Sequence, residues 1–420
     1  MTFRIYKKNA FLTYLGSLII LLAFSPISNL GMNYTIFMFV LTLFWIVFFF
    51  VTQRKKAIDI VINEQYIFLY AYSIYLLALA LQGKTLLMTV ISSFVLSSIA
   101  LIFIVIFDSY EEIGVIKRIS VICIYIILIN TYTIFKLIQD TDISRFLAAT
   151  GKYYSIPFYE MPFVGGFAHV YSVTLLNACF LVGIRGRAGI RSINWLGFIV
   201  GIIFIIKSKY TFAFLISGLM ILGTIFEVKS RKKLFFIICA GMLAAIIAYF
   251  NMHTIIVALS NIAGGQGTYV GRNILTIEEF FRGNSTFSTH DAGERYALYK
   301  SSIDVWKSSP FVGIGYLGYQ SGGVGGHSVI LDTLAHYGIL GCGIFVFTMI
   351  GMYFSISKRL QIEMRYPYLI LFLGYLTEMF VNTGYTMTQM VTVFYIIPFL
   401  LSLNRDRLKS GKISIIIKKN

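Results

Sequence analysis

Apolar runs of about twenty residues, each bounded by charged clusters, recur from one end of the chain to the other. A helix rising about 1.5 Å per residue needs about twenty residues to cross the roughly 30 Å hydrocarbon layer of a bilayer, so this spacing points to membrane-spanning helices. The runs are continuous rather than alternating apolar and polar, which excludes the strands of an outer-membrane barrel. Composition agrees: 58% of the 420 residues are hydrophobic, only 13% are charged and the mean hydropathy is +0.80. A soluble enzyme carries about 25% charged residues, so soluble, disordered and fibrous classes are excluded. The runs predict twelve spans, near 10–25, 33–51, 65–82, 85–106, 119–137, 164–184, 193–206, 210–226, 234–251, 329–355, 366–384 and 388–403. The expected fold is an all-α polytopic integral membrane protein, a single membrane domain over 1–420.

Distribution of the basic residues tests that count, because Lys and Arg collect in cytoplasmic loops. With a cytoplasmic N-terminus, the inner segments hold 24 of the 35 Lys and Arg, including Arg54, Lys55 and Lys56, the group Lys229 to Lys233, and six in a basic cytoplasmic tail over 404–420. The net charge of +17 is thereby read as topology and headgroup binding, with no nucleic-acid partner. The first run follows Arg4, Lys7 and Lys8 as a signal peptide would, but the eleven further spans predict a retained anchor. Cys123, Cys179, Cys239 and Cys342 all lie in apolar runs and read as small buried hydrophobes.

Two outer segments exceed tight turns, about 138–163 and the large loop 252–328 between spans nine and ten. A loop of that size is expected to hold helices of its own. Tyr296, Tyr299, Ile303 and Trp306 share a helical face, Asp291 and Glu294 have capping-box spacing, and Pro310 marks a stop. Together they predict an amphipathic helix over 291–308 that docks on the bundle or lies at the headgroups.

Ionisable groups in the outer segments are the candidates for chemistry. Lys207 and Lys209 put two charges in a very short outer turn, against the positive-inside trend, either by snorkelling or to meet an anion. Arg272, Arg282 and Arg295 let one loop offer several guanidinium forks to a ligand such as pyrophosphate, or simply form a solvated face. Seven glycines between Gly313 and Gly326 permit close backbone approach to a ligand, or a mobile loop. His327 ends this run at the mouth of span ten, as a hydrogen-bonding imidazole or a helix cap. His169, His253, His290 and His336 have no metal-ligand spacing, so no metal is expected.

The block Arg295-Tyr296-Ala297, Trp306, Pro310-Phe311-Val312-Gly313-Ile314-Gly315, His327-Ser328, Leu331-Asp332 and Gly338-Ile339-Leu340-Gly341 resembles the bacterial O-antigen polymerase and ligase superfamily. That superfamily carries an Arg-led helix, a P-x-x-G-x-G turn, then His with Asn, Ser or Gln, nine residues and Gly; His327, Ser328 and Gly338 match this spacing. The ligase form continues Gly-x-x-Thr, whereas Gly341 occupies the Thr position here. A basic residue in a short upstream outer turn is similar to Lys209, with lysine in place of the usual arginine.

The resemblance implies a GT-C-type membrane glycosyltransferase that uses an undecaprenyl pyrophosphate-linked glycan, needs no nucleotide sugar, metal or other cofactor, and works at the outer face of the bacterial inner membrane. It implies a polymerase of lipid-linked repeat units, with ligase as the alternative and a chain-length regulator as a partner. Arg295 and Lys209 would meet the departing pyrophosphate, Arg282, Arg272 and Lys207 would assist, and His327 would contact pyrophosphate or act as base. Asp291, Glu294 and Glu160 are the other possible bases. A rival from another class is a flippase for the same lipid-linked glycan. Against it, the large loop has no counterpart in the first half and charges inside the spans are few.

Overall fold

The computed structural model describes residues 2–24, 32–55, 57–58, 64–107, 167–185, 191–208, 211–225, 252–262, 265, 291–315, 328–382 and 385–403. Twelve helices and no strand occur among them. They are α1 (Thr2–Phe24), α2 (Met32–Thr52), α3 (Glu64–Leu81), α4 (Leu87–Phe107), α5 (Phe167–Arg185), α6 (Arg191–Ser208) and α7 (Thr211–Ile225). The remainder are α8 (Met252–Ile262), α9 (Asp291–Ser308), α10 (Val329–Ser357), α11 (Ile362–Val381) and α12. The last is α-helical over Met387–Val391, widens to a π-helix over Thr392–Ile396 and is α-helical again over Ile397–Leu403.

Ten of the twelve expected spans coincide with these helices, while the expected spans at 119–137 and 234–251 lie outside the described residues. The stretches Tyr34–Thr52, Leu87–Phe107 and Val329–Ser357 are each long and apolar enough to cross a membrane, and six shorter apolar stretches accompany them among the described residues. The chain is a multi-pass membrane protein.

Helix α4 forms the centre, buried nearly throughout from Val95 to Ile106, with Phe103 and Phe399 of α12 meeting edge to face at 4.8 Å. By contrast, α2 turns a stripe of Phe37, Val40, Phe44, Val47 and Val51 outward. These residues recur at helical spacing and are all exposed and uncharged, which is the face a helix shows to lipid rather than to water. Its other face is anchored by Trp45, whose Nε1 donates to the Leu12 carbonyl of α1 at 2.8 Å.

At one end, the turn between α10 and α11 is tied by arginines. Arg359 donates to the Ser355 carbonyl at 2.7 Å, and Arg365 to the carbonyls of Leu360 and Lys358. These guanidinium groups satisfy carbonyls left over at the end of α10, as cations at a helix C-terminus do. The opposite end carries α9 and the turn that follows it, and we call it the loop-bearing end.

Candidate functional site

Helix α9 is laid onto α10 along one face. Ser302, fully buried on that face, donates to Asp332 Oδ1 at 3.0 Å, and the Tyr299 hydroxyl donates to the Val381 carbonyl of α11 at 2.6 Å. Lys300, Asp304 and Lys307 point away and are exposed. The expected helix over 291–308 therefore has the expected bounds, and its inner face is the one that carries Tyr299, Ser302, Ile303 and Trp306.

The chain then turns. Trp306 Nε1 donates to the Pro310 carbonyl at 3.0 Å, and Ser309 exchanges hydrogen bonds with Gly313, which fold residues 309–313 tightly. This turn meets α10 where that helix is broken. Gly338 has φ 65° and ψ −171° inside an otherwise helical run, so the i to i−4 ladder is interrupted there.

Four backbone groups released by the break are taken up by the turn. Ile339 and Leu340 donate to the carbonyls of Pro310 and Phe311 at 2.9 and 3.1 Å, while Ile314 and Gly315 donate to those of Ala335 and His336 at 3.3 and 2.8 Å. Unpaired backbone groups in an apolar surrounding cost several kcal/mol each. The break and the turn thus require each other. Both contacting glycines have positive φ, and a Cβ on either Gly313 or Gly338 would collide with the opposing backbone. The close backbone approach expected of these glycines occurs, but its object is the chain's own α10. Gly318 and the later glycines of the run lie outside the described residues.

Several further contacts close the same end. Ser328 is fully buried, and its hydroxyl caps α10 by accepting from Leu331 N at 3.1 Å. The next residue, Val329, donates its N–H to the Asn382 carbonyl at 3.4 Å, and Asn382 Nδ2 donates to the Tyr171 hydroxyl of α5 at 2.5 Å. Thr85, in the turn between α3 and α4, shares a hydrogen bond with the Tyr337 hydroxyl at 2.9 Å. On α5, His169 lies edge to face with Phe204 of α6 at 5.9 Å, so α6 ends at this end too.

Lys207, the second-to-last residue of α6, is carried there by its backbone, though its side chain is not among those described. Asp291, Glu294 and Arg295 occupy the first two turns of α9 on the same terms. His327, Lys209, Arg272, Arg282 and Glu160 lie outside the described residues; His327 directly precedes the buried Ser328. The structure therefore joins the Arg295 helix, the Pro310–Gly315 turn and the Ser328 cap into one unit.

One buried group was missed by the sequence reading. Glu378 in α11 is fully buried, and Gln389 Nε2 donates to its Oε2 at 3.4 Å. Its Oε1 has no hydrogen-bond partner among the described residues. The signal was available, since Glu378 is the single charged residue in the apolar run 366–384. Cys179 and Cys342 are free and buried, as expected of small hydrophobes, and Cys123 and Cys239 lie outside the described residues.

No protein-family model matches the chain, and no curated protein matches it in sequence.

Proposed function

We propose that the protein is a polymerase of lipid-linked oligosaccharide repeat units, a metal-independent glycosyltransferase working from undecaprenyl pyrophosphate at the outer face of a bacterial inner membrane. In the reaction, the bond between the anomeric carbon and the pyrophosphate oxygen breaks and the pyrophosphate leaves with the electron pair. The acceptor sugar hydroxyl of a new lipid-linked repeat bonds to that carbon and gives up its proton. Charge grows on the leaving group as the sugar becomes oxocarbenium-like, so fixed cations at the pyrophosphate are the main requirement. Arg295 and Lys209 take that role, with Arg272, Arg282 and Lys207 in support. His327 serves as pyrophosphate ligand or as base, and Asp291, Glu294 and Glu160 are the alternative proton acceptors.

The observation that carries this reading is the joining of its three sequence elements. The Arg-led helix and the P-x-x-G-x-G turn are consecutive in the chain, and Ser302–Asp332 with the four backbone hydrogen bonds at Gly338 joins them to the Ser328 to Gly338 segment as one unit. Ser328, the first described residue of that segment, is thereby held at the same end as helix α9.

A second observation favours polymerase over ligase. Gly341 is packed so closely against Tyr337 and Tyr75 that a Cβ there would lie 2.8 Å from Tyr75 Cε1. The threonine that the ligase form carries at this position has no room in this bundle.

The reaction is tested with purified protein in lipid vesicles given undecaprenyl pyrophosphate-linked repeat units alone, with chelator and without nucleotide sugar. The expected result is a ladder of oligomers with release of undecaprenyl pyrophosphate. Recovery of repeats as monomers on the opposite leaflet, with no new glycosidic bond, would replace this reading with the flippase.

A further inference from the structure

The turn that follows α9 is built the opposite way round from a turn in water. Its tip is apolar and outward, with Phe311 74% exposed and Val312 half exposed. Its backbone is satisfied from within. The Ser309 carbonyl accepts from the Gly313 N–H, the Pro310 carbonyl from Trp306 Nε1 and the Ile339 N–H, the Phe311 carbonyl from the Leu340 N–H, and the Gly313 carbonyl from the Ser309 hydroxyl. A turn in water carries polar side chains and can leave its carbonyls to solvent. Lipid tails offer no hydrogen bonds, so irregular backbone beside them has to be paired internally while its side chains stay apolar.

Two lipid-facing stripes run into this turn. On α10, Leu340, Phe347 and Phe354 recur every seven residues and are all exposed, within a stretch long and apolar enough to cross a membrane. On α3, Ile74, Leu77 and Leu81 form a second exposed stripe at helical spacing. The turn closes on both: Phe311 is hydrogen-bonded to Leu340, and Gly315 packs so closely on the turn between α3 and α4 that a Cβ there would lie 2.9 Å from the Lys84 carbonyl. The apolar tip therefore continues the surface that the spans show to lipid.

Charge marks where that surface stops. Lys84 is exposed, stands between the exposed Leu81 and Leu86, and pairs with no carboxylate among the described residues. An unpaired lysine at the edge of an apolar face is complementary to lipid phosphate, which its long stem can reach. On α9 the exposed Asp304 and Lys307 pair with each other at 3.0 Å, only four residues before Phe311. Polarity thus switches within about one helical turn.

We infer that the Pro310–Gly313 turn is a wedge seated among the acyl chains of bilayer phospholipids beside α10, with Lys84 at the level of the lipid phosphates and the charged face of α9 in water. Part of the segment 252–328, expected to lie wholly outside the membrane, then belongs to the bilayer. The wedge stands apart from the glycan-transfer reading and survives or fails without it.

The test uses full-length protein with native cysteines replaced and one cysteine introduced, as Phe311→Cys, Val312→Cys or Asp304→Cys. Each is labelled with a bimane fluorophore and reconstituted into vesicles of phosphatidylcholine and phosphatidylglycerol. Lipids carrying a nitroxide on the acyl chain should quench the Phe311→Cys and Val312→Cys labels several-fold more than the Asp304→Cys label, and aqueous iodide should show the reverse order. Iodide reaching the labels at 311 and 312 as freely as the label at 304 overturns the wedge and makes the turn an aqueous loop. Labels at 311 and 312 shielded from both quenchers overturn it too, since protein rather than lipid would then cover the turn. Should Phe311→Cys not fold, the Val312→Cys label decides by the same comparison.

Discussion

Gly338 and Phe311 are locked together through their backbones: the Phe311 carbonyl accepts the Leu340 N–H at 3.1 Å, and a Cβ on Gly338 would collide with that same carbonyl. A helix broken at Gly338 is thus repaired by the turn that follows α9.

Gly338→Ala is expected to destabilise the protein by roughly 2–6 kcal/mol, backbone strain and overpacking each contributing about 1–3 kcal/mol. Gly343→Ala, five residues on in the same helix, meets nothing within 4 Å and should be neutral or gain up to about 1 kcal/mol from helix propensity. Unfolding midpoints in detergent check the pair. Equal midpoints for the two variants would show that the joint does not form.

Gly341→Thr carries the same logic to the residue that separates the two enzyme forms. Its side chain collides with Tyr337 Cβ as well as with the Tyr75 ring, so yield of folded protein should fall, and Tyr75→Ala in the same chain should restore only the part due to the ring. Size-exclusion chromatography in detergent reads both outcomes, and a Gly341→Thr protein of wild-type behaviour would contradict the packing.

Ser302→Ala removes the hydrogen bond to Asp332 and should loosen α9 from α10 by about 1–2 kcal/mol, the range for a bond to a charged group. Hydrogen exchange localises the effect. Protection should drop across Tyr299 to Trp306 while α4 is unchanged.

Much of this architecture was legible in the sequence because a bilayer imposes one length and one pattern on every span. Ten helices fall where apolar runs bounded by charge place them, and α9 begins at Asp291 and ends just before Pro310, where local capping and stop signals put it. What could not be read was contact between distant segments. The break at Gly338 carries no local signal, since glycine is common in spanning helices, and its cause lies some twenty-five residues earlier in the Pro310–Gly315 turn. Glu378 was visible as a lone charge, but its hydrogen bond from Gln389 exists only through the packing of α11 against α12.

Topology is open to a direct chemical check. Single cysteines at Lys84 and Lys358, on a background with native cysteines replaced, should react oppositely with a membrane-impermeant maleimide: Lys84→Cys in intact cells, Lys358→Cys only after permeabilisation. The reverse pattern would invert the orientation on which the outer-face site depends.

Removing the guanidinium of Arg295 should cost about 10²- to 10³-fold in transfer rate, the scale of losing one preorganised donor at a developing anion. Arg295→Lys keeps charge without the bidentate fork and should fall between wild type and Arg295→Ala. Rates are read from the vesicle assay, and three equal rates would remove Arg295 from the site.

The central claim is tested most directly by surface glycan and lipid-linked intermediates, resolved on gels, from a deletion strain complemented with wild type or with His327→Ala at equal expression. The polymerase reading gives a full ladder with wild type and collapse to a single repeat with His327→Ala. Full-length polymer held on the lipid carrier would instead assign a ligase, repeats trapped on the cytoplasmic side a flippase, and a normal ladder from His327→Ala would contradict the assigned site.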